Sequence, residues 1–396
     1  MNASVRQILL AAVLWALAAP GVLAQPAADP LNIRGAMAQG FVDSSGNAVL
    51  EGSRDGTFDF YEVAVNGRVA PLQGLLLSGQ LMARQAPGDR DSLRLDYLQL
   101  DYQHTITPDL NAGLRGGRVK NPYGFYNSSR DVVFSRPGIT LPRSIYYEGS
   151  GFRDLLFSTD GGQIYAHGVN RLGTTDFVVG GADEFDASDD FSRALGLGSD
   201  AVQVDVTQFL LGQWLQEWGA TGRLRTGLSL LHADLHASDT SATPSPFGNA
   251  DLEVENWVLS AQWQQARWSL TAEYLYSRTE FNTSLFSQTQ RSDGGYLQYT
   301  HYFDGSWSGY LRYDVAYADR EDRDGREAQA RTGEPRHTQF LRGAVGGLSW
   351  QPGAHWGLYA EYHHIDGSYL LSPSANAGRM PERRTQALYL MLAYRF

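Results

Sequence analysis

Residues 385–396, the last twelve of the chain, read TQALYLMLAYRF. Counted back by twos, Phe396, Tyr394, Leu392, Leu390 and Leu388 fall on one face; Arg395, Ala393, Met391, Tyr389 and Ala387 fall on the other. A period of two over about ten residues marks a strand whose faces meet different surroundings. The first face is wholly apolar and ends in aromatics, which suits a strand that touches lipid and then the lipid–water boundary. On a soluble edge strand such a face would invite aggregation.

Working outward from this stretch, the same alternation predicts sixteen strands, near 31–40, 58–69, 72–83, 93–103, 110–119, 163–169, 174–181, 207–218, 223–236, 254–263, 267–276, 295–303, 307–318, 339–350, 355–364 and 385–396. Connections alternate in length. Ala70-Pro71 and residues 105–109, 170–173, 219–222, 264–266, 304–306 and 351–353 are short turns, and longer loops lie between them. That asymmetry fits an all-β, antiparallel transmembrane barrel with periplasmic turns, and an even strand number places both mature termini in the periplasm. Trp214, Trp218, Trp263, Trp268, Trp307, Trp350 and Trp356 all sit near the short turns, where indole favours the membrane interface. Trp257 does not.

Residues 1–24 read as a cleaved secretory signal. Arg6 supplies the charge, 8–19 the apolar run, and Val22-Leu23-Ala24 the cleavage site, leaving 25–396 as the barrel. The apolar run is too short to span a bilayer as a helix. Removing Arg6 takes the formal net charge from −11 to −12, which argues against a nucleic-acid partner. Glycine at 43 of 396 residues and aromatics at 12% are high, and the charged fraction of 19% falls below the usual ~25%. This mixture suits many tight turns and two aromatic girdles better than a soluble enzyme. With no cysteine, disulfides play no part.

If the apolar set on each strand faces lipid, the other set lines a lumen. Glu62, Asn66 and Arg68 then face inward, with Ser269, Thr271 and Glu273, Tyr310, Arg312 and Asp314, and Tyr359, Glu361 and His363. A charge on the lipid face at mid-membrane would cost about 2–4 kcal/mol. Sixteen strands also enclose more space than side chains fill, so the polar inner set implies water. Arg115 and Arg118 have opposite parity, which a bulge at Gly116-Gly117 would reconcile; Gly346-Gly347 poses the same question, and the fourth strand with Asp101 has no clear phase.

The connection 120–160 carries Pro122, Pro137 and Pro142, the cations Lys120, Arg130, Arg136, Arg143 and Arg153, and apolar residues such as Phe125, Phe134, Ile139, Leu141 and Ile145 that need a packing surface. A loop this long inside a compact fold is usually functional. The basic cluster Arg115, Arg118, Lys120, Arg130, Arg136 and Arg143, set against Glu62, Glu273 and Glu361, is expected to favour anions modestly.

The terminal pattern with Phe396, Tyr394 and Leu392 resembles the C-terminal signal of bacterial outer-membrane β-barrel proteins. That resemblance implies that the barrel-assembly machinery reads the last strand, which then pairs with the first. In strand count, loop position and last residue the mature chain resembles the sixteen-stranded general porins of Gram-negative outer membranes. It implies a water-filled channel for small hydrophilic solutes, a long loop after the fifth strand folded into the lumen, surrounding lipids and lipopolysaccharide, and a homotrimer. Gly117-Arg118-Val119-Lys120-Asn121-Pro122-Tyr123-Gly124 resembles the Gly-Arg-x-Lys-x-Pro-aromatic-Gly pattern of phosphate-selective porins, implying anion conduction past Arg118 and Lys120. Those channels use several lysines, whereas Lys120 is the single lysine here.

Other clusters carry less. His232, Asp234 and His236 share one strand face with metal-ligand spacing but read as a surface patch, and Asp183, Glu184, Asp186, Asp189 and Asp190 read as a solvated outer loop. No Gly-rich phosphate loop, HExxH or GxSxG is present, so neither catalytic residues nor a cofactor or metal are expected. An outer-membrane enzyme or a plugged structural barrel are the other function classes. The polar inner faces oppose the second.

Overall fold

The computed structural model describes residues 29–396 apart from 87–88, 150, 183, 190, 193–200, 241–248, 372–373 and 378. The leader 1–24, Asp183 and Asp190 lie outside the described residues. Sixteen long strands follow in order: β1 Asp29–Ser45, β2 Thr57–Leu72, β3 Leu75–Ala86, β4 Asp89–Thr107, β5 Leu110–Lys120, β6 Ser158–Asn170, β7 Gly173–Ala182, β8 Val202–Trp218, β9 Leu224–Asp239, β10 Asn249–Gln264, β11 Trp268–Thr283, β12 Ser287–Tyr302, β13 Trp307–Tyr317, β14 Phe340–Trp350, β15 Trp356–Asp366 and β16 Arg384–Arg395. Each pairs antiparallel with the next, and a two-residue strand, Phe185–Asp186, adds to β8. No helix is long and apolar enough to cross a membrane; the strands do that here.

Closure comes from β16 pairing with β1, from Ala36 opposite Arg395 to Ser45 opposite Gln386. A closed sheet leaves no unpaired backbone row, the condition for a strand in lipid. The seam ends at Phe396, whose N–H donates to Gly35 O at 3.0 Å while its carbonyl accepts from Gly35 N at 3.1 Å. A Cβ at Gly35 would come within 2.4 Å of the Phe396 ring. Glycine is therefore what lets the ring lie against β1.

The alternation read from the sequence governs both faces. On β16, Leu392 is 47% exposed and its neighbour Met391 3%. Near the short turns Trp263 and Trp268 meet edge-to-face at 5.4 Å and Trp307 stacks on Trp350 at 5.5 Å. Trp257 lies opposite Leu230 and Tyr276, high on the outer wall. Beyond it the outward positions turn charged (Glu255, Glu253, Arg278, Glu280), so Trp257 marks the other lipid boundary.

Several expectations need correction. The first turn is Gln73-Gly74, not Ala70-Pro71. The outer connection 284–286 is tight because its strands run on past the apolar belt, and the pairing of β3 with β4 likewise continues out to Ala86 opposite Asp89. On β4 the pairing steps from Gln80–Tyr97 to Leu81–Leu95, and the extra residue, Asp96, reverses the phase. Asp101 then faces inward. Across Gly116-Gly117 the register is continuous, so no bulge brings Arg118 round to the face of Arg115. The register through Gly346-Gly347 is continuous as well.

Deleting Phe396 removes both seam bonds, each worth about 1 kcal/mol, and the ring that covers Gly35. The expected result is a lower yield of folded, heat-modifiable barrel on gels, with unchanged conductance in the pores that do form. A normal folded yield would contradict this account of the seam.

Candidate functional site

The segment between β5 and β6 ends in a short helix, α1 (Phe152–Phe157). It is held from several sides by side chains on inward positions of the strands. Glu361 on β15 accepts from the backbone N–H groups of Ile139 and Thr140 (3.1 Å for the latter), the Thr140 hydroxyl at 2.7 Å, Tyr310 Oη at 2.5 Å and His363 Nε2 at 2.9 Å. Glu273 on β11 accepts from Phe125 N at 2.8 Å and from the hydroxyls of Tyr146, Tyr296 and Ser260 at 2.6–2.8 Å. Asp314 on β13 accepts from Arg143 N at 2.8 Å, and Arg312 donates to Thr140 O at 3.0 Å. Glu62 on β2 takes both bonds from Arg136 Nη2, at 2.7 and 2.8 Å, and a third from Arg84 Nε at 3.1 Å.

Gly347 explains how Tyr310 reaches Glu361. A Cβ there would lie 2.1 Å from the Tyr310 ring, so the ring lies flat on β14 only because the position is bare.

Apolar packing completes the hold. Leu141, Ile145 and Tyr146 join Phe209, Leu211, Leu231, Leu235 and Leu252, and Val133 and Ile139 join Val42, Phe60, Tyr359 and Tyr389. Much of the inner wall of β8–β10 is thus apolar, beside the buried polar Gln213, Ser229 and Ser260, where the sequence led to a polar lining. It can be so because the 121–157 segment covers it. Ser229 and Leu231 point inward and His232, Asp234 and His236 outward, which resolves the phase of β9.

Most of the basic cluster is already paired. Arg115 Nε donates to Asp101 at 2.8 Å, Arg118 to Asp160 at 3.4 Å and Lys120 to Asp131 at 2.5 Å. Arg136 is neutralised by Glu62, and Arg68 lies exposed near the periplasmic end of β2. Arg130 is fully buried with its guanidinium 3.9 Å from Glu148 Oε1; burial draws it down to about 10, against the pull of Glu148. Glu273 and Glu361, expected on an opposing pore wall, instead anchor the loop backbone. Such buried carboxylates are tolerable because donors satisfy them.

A cavity of about 40 Å³ lies between the loop, β2 and β3, with Val49 and Leu370 from other outer connections. Its charged lining is Arg84, Arg143 and Glu148. Glu148 accepts from Arg84 Nη2 at 2.7 Å. Burial pushes the Glu148 carboxyl up, but Arg84 and then Arg130 outweigh it and hold it well below the usual range. Among the described residues the Arg143 guanidinium donates only to Tyr389 Oη, at 3.4 Å. Sequence reasoning missed Arg84 and Glu148. Arg84 continues the inward series Gln80, Met82 on β3, but the strand was expected to end before it.

His232, Asp234 and His236 form the expected surface patch, although the ligand atoms that gather within 4.8 Å belong to His232, Glu253 and Glu255.

No protein-family model and no curated protein matches the sequence. Solved structures do. The outer-membrane channel DcaP of Acinetobacter baumannii aligns with TM-score 0.57 at 12% identity over 95% of this chain and 99% of that one. The anion-selective porin of Comamonas acidovorans gives 0.56 at 13% over 92% and 99%. A trimer form of OmpT from Vibrio cholerae gives 0.53 at 11% over 92% and 99%. The chain has the porin fold. Identity this low carries the fold alone, so any selectivity has to be argued from this chain's own residues.

Two outcomes follow. Glu361→Ala leaves several buried donors without an acceptor, at about 1–3 kcal/mol each. The loop should loosen, raising single-channel conductance and exposing 121–157 to protease while the barrel stays heat-modifiable; unchanged conductance and protection would contradict the tether. Because the folded Glu148 value is depressed, its contribution is full above the ordinary value of 4.5 and is lost only as pH falls through the lower folded value. Reversal potentials should therefore show no step centred near 4.5 that Glu148→Gln abolishes.

Proposed function

We propose that the protein is an outer-membrane channel through which small hydrophilic solutes and ions diffuse passively, with a modest preference for anions. The closed sixteen-stranded barrel of the porin fold supports the channel, and the lining of the cavity beside the loop, two guanidiniums against one carboxylate with Glu148 held by Arg84, supports the anion preference. In a narrow, partly desolvated space charge acts more strongly than in bulk water, and the confined field enriches the counter-ion. The formal net charge of −11 bears little on this, since exposed loop charges are screened by salt. Lys120, bonded to Asp131, is not free to grip phosphate, so a general anion preference fits better than a phosphate-specific channel.

The same reading includes export by the 1–24 leader and assembly through Phe396, Tyr394 and Leu392 read by the barrel-assembly machinery. The barrel then sits among outer-membrane lipids and lipopolysaccharide. A homotrimer agrees with the trimer form of OmpT.

The test is purified protein in planar bilayers under a salt gradient. Ohmic steps are expected without any energy source, with a reversal potential on the anion side. Arg143→Gln should move it toward cations, most clearly at low salt. Folded protein that stays electrically silent over repeated insertions would overturn the channel reading.

A further inference from the structure

Above Trp257 the outer wall carries a group of side chains that neither the closure of the barrel nor the hold on the loop uses. His232 on β9 lies directly opposite Glu255 on β10, and Glu253 is the next residue of that face. A ligand atom from each, an imidazole nitrogen and two carboxylate oxygens, lies within 4.8 Å of the others. The spacing along β9 pointed to His236 as well, but His236 Nδ1 is engaged by Asp251 Oδ1 at 2.7 Å. Glu255 accepts from Arg278 with Oε2 at 3.4 Å, which leaves its second oxygen. Glu253 has no hydrogen-bond or ion-pair partner among the described residues. Carboxylates two apart on one strand face repel each other. Arg278, the guanidinium that β11 brings to this face, is shared between Glu255 and Glu280 and does not offset them all.

Carboxylates alone would make an ordinary solvated surface. The imidazole changes the chemistry, because a hard cation such as Ca²⁺ takes oxygen ligands, whereas imidazole beside carboxylates suits Zn²⁺ and its neighbours. Zinc holds nitrogen and oxygen ligands at about 2.0–2.2 Å, so the ligand atoms of a tetrahedral site stand about 3.3 Å apart. Rotation of these partly exposed side chains closes the difference, while the paired strands fix their backbones. Asp234 Oδ1, 3.5 Å from His232 Nε2, is placed to orient the ring, as carboxylates beside metal-bound histidines do. We infer that His232, Glu253 and Glu255 form a divalent transition-metal site, with Zn²⁺ the fitting ion and a fourth position open to water. The site stands beyond the lipid boundary that Trp257 marks, so ions reach it from the outer side. The bound dication offsets the two glutamates and ties β9 to β10 above the membrane. This inference does not depend on whether the barrel conducts.

The test is zinc binding by the folded protein, purified without a histidine tag and stripped with a chelator. Equilibrium dialysis at micromolar free zinc, with bound metal counted by mass spectrometry, should give a single zinc per chain that excess Ca²⁺ does not displace. Co²⁺ in its place should show the visible absorption of a four-coordinate nitrogen–oxygen site. His232→Gln and Glu253→Gln should each weaken binding at least tenfold, since loss of an orienting partner alone costs ~10–100-fold. His355→Gln, at an exposed histidine beside a short turn at the other end of the barrel, should leave binding unchanged. All three variants change partly or fully exposed side chains, and retained heat-modifiability on gels reports that each has folded. Folded wild-type protein that retains no zinc, or binding that survives His232→Gln undiminished, would overturn the site. Displacement by Ca²⁺ would overturn its assignment to a transition metal.

Discussion

Three buried carboxylates, Glu62, Glu273 and Glu361, hold the 121–157 segment to the inward positions of the strands, and the shape of the space inside the barrel depends on that hold. A carboxylate in such surroundings is costly alone and worthwhile only when its lone pairs are filled. Glu361 fills them mostly with backbone N–H groups and hydroxyls, Glu273 likewise, and Glu62 with two guanidiniums. Removing one partner of such a pair typically costs about 3–5 kcal/mol. The loop is thereby fixed at three separated points around the wall rather than at its ends alone.

This arrangement sorts the cations into two groups. Those whose partners lie on a neighbouring strand (Arg115, Arg118), within the loop (Lys120) or on the β2 wall that the loop faces (Arg136) are neutralised where they stand and serve structure. Arg143 differs because its backbone, not its side chain, takes the nearby carboxylate: Asp314 accepts from Arg143 N, and among the described residues the guanidinium donates only to the neutral Tyr389 hydroxyl. The charge that a solute meets is thus decided by which atoms of the loop the wall carboxylates bind.

The strands were legible because lipid on one side and a different environment on the other impose a strict period of two, as in the Leu388, Leu390, Leu392 series. Legibility failed where that contrast failed. The sequence around 84–86 and 277–294 is mostly polar with no apolar alternation, so the period gives no sign that the strands continue there, and Arg84 lies beyond its reach. On β4 the single extra residue Asp96 reversed the phase. On β8–β10 much of the inner wall is apolar because the loop covers it, so inside and outside look alike in sequence. The candidate site was legible only in part: the loop and its cations were visible, but their pairing was not. Arg136 and Glu62 are 74 positions apart and Thr140 and Glu361 221, and no local pattern links them.

On the proposed function, solutes pass Arg143 between the tethered loop and the β2–β3 wall. The chain has no cysteine, so a single introduced thiol can be modified without background. Arg143→Cys pores in a planar bilayer, treated with a positively charged methanethiosulfonate reagent, report that path directly. The account predicts a stepwise, irreversible fall in current in each open pore. Current that stays constant while mass analysis confirms modification of the thiol would contradict it.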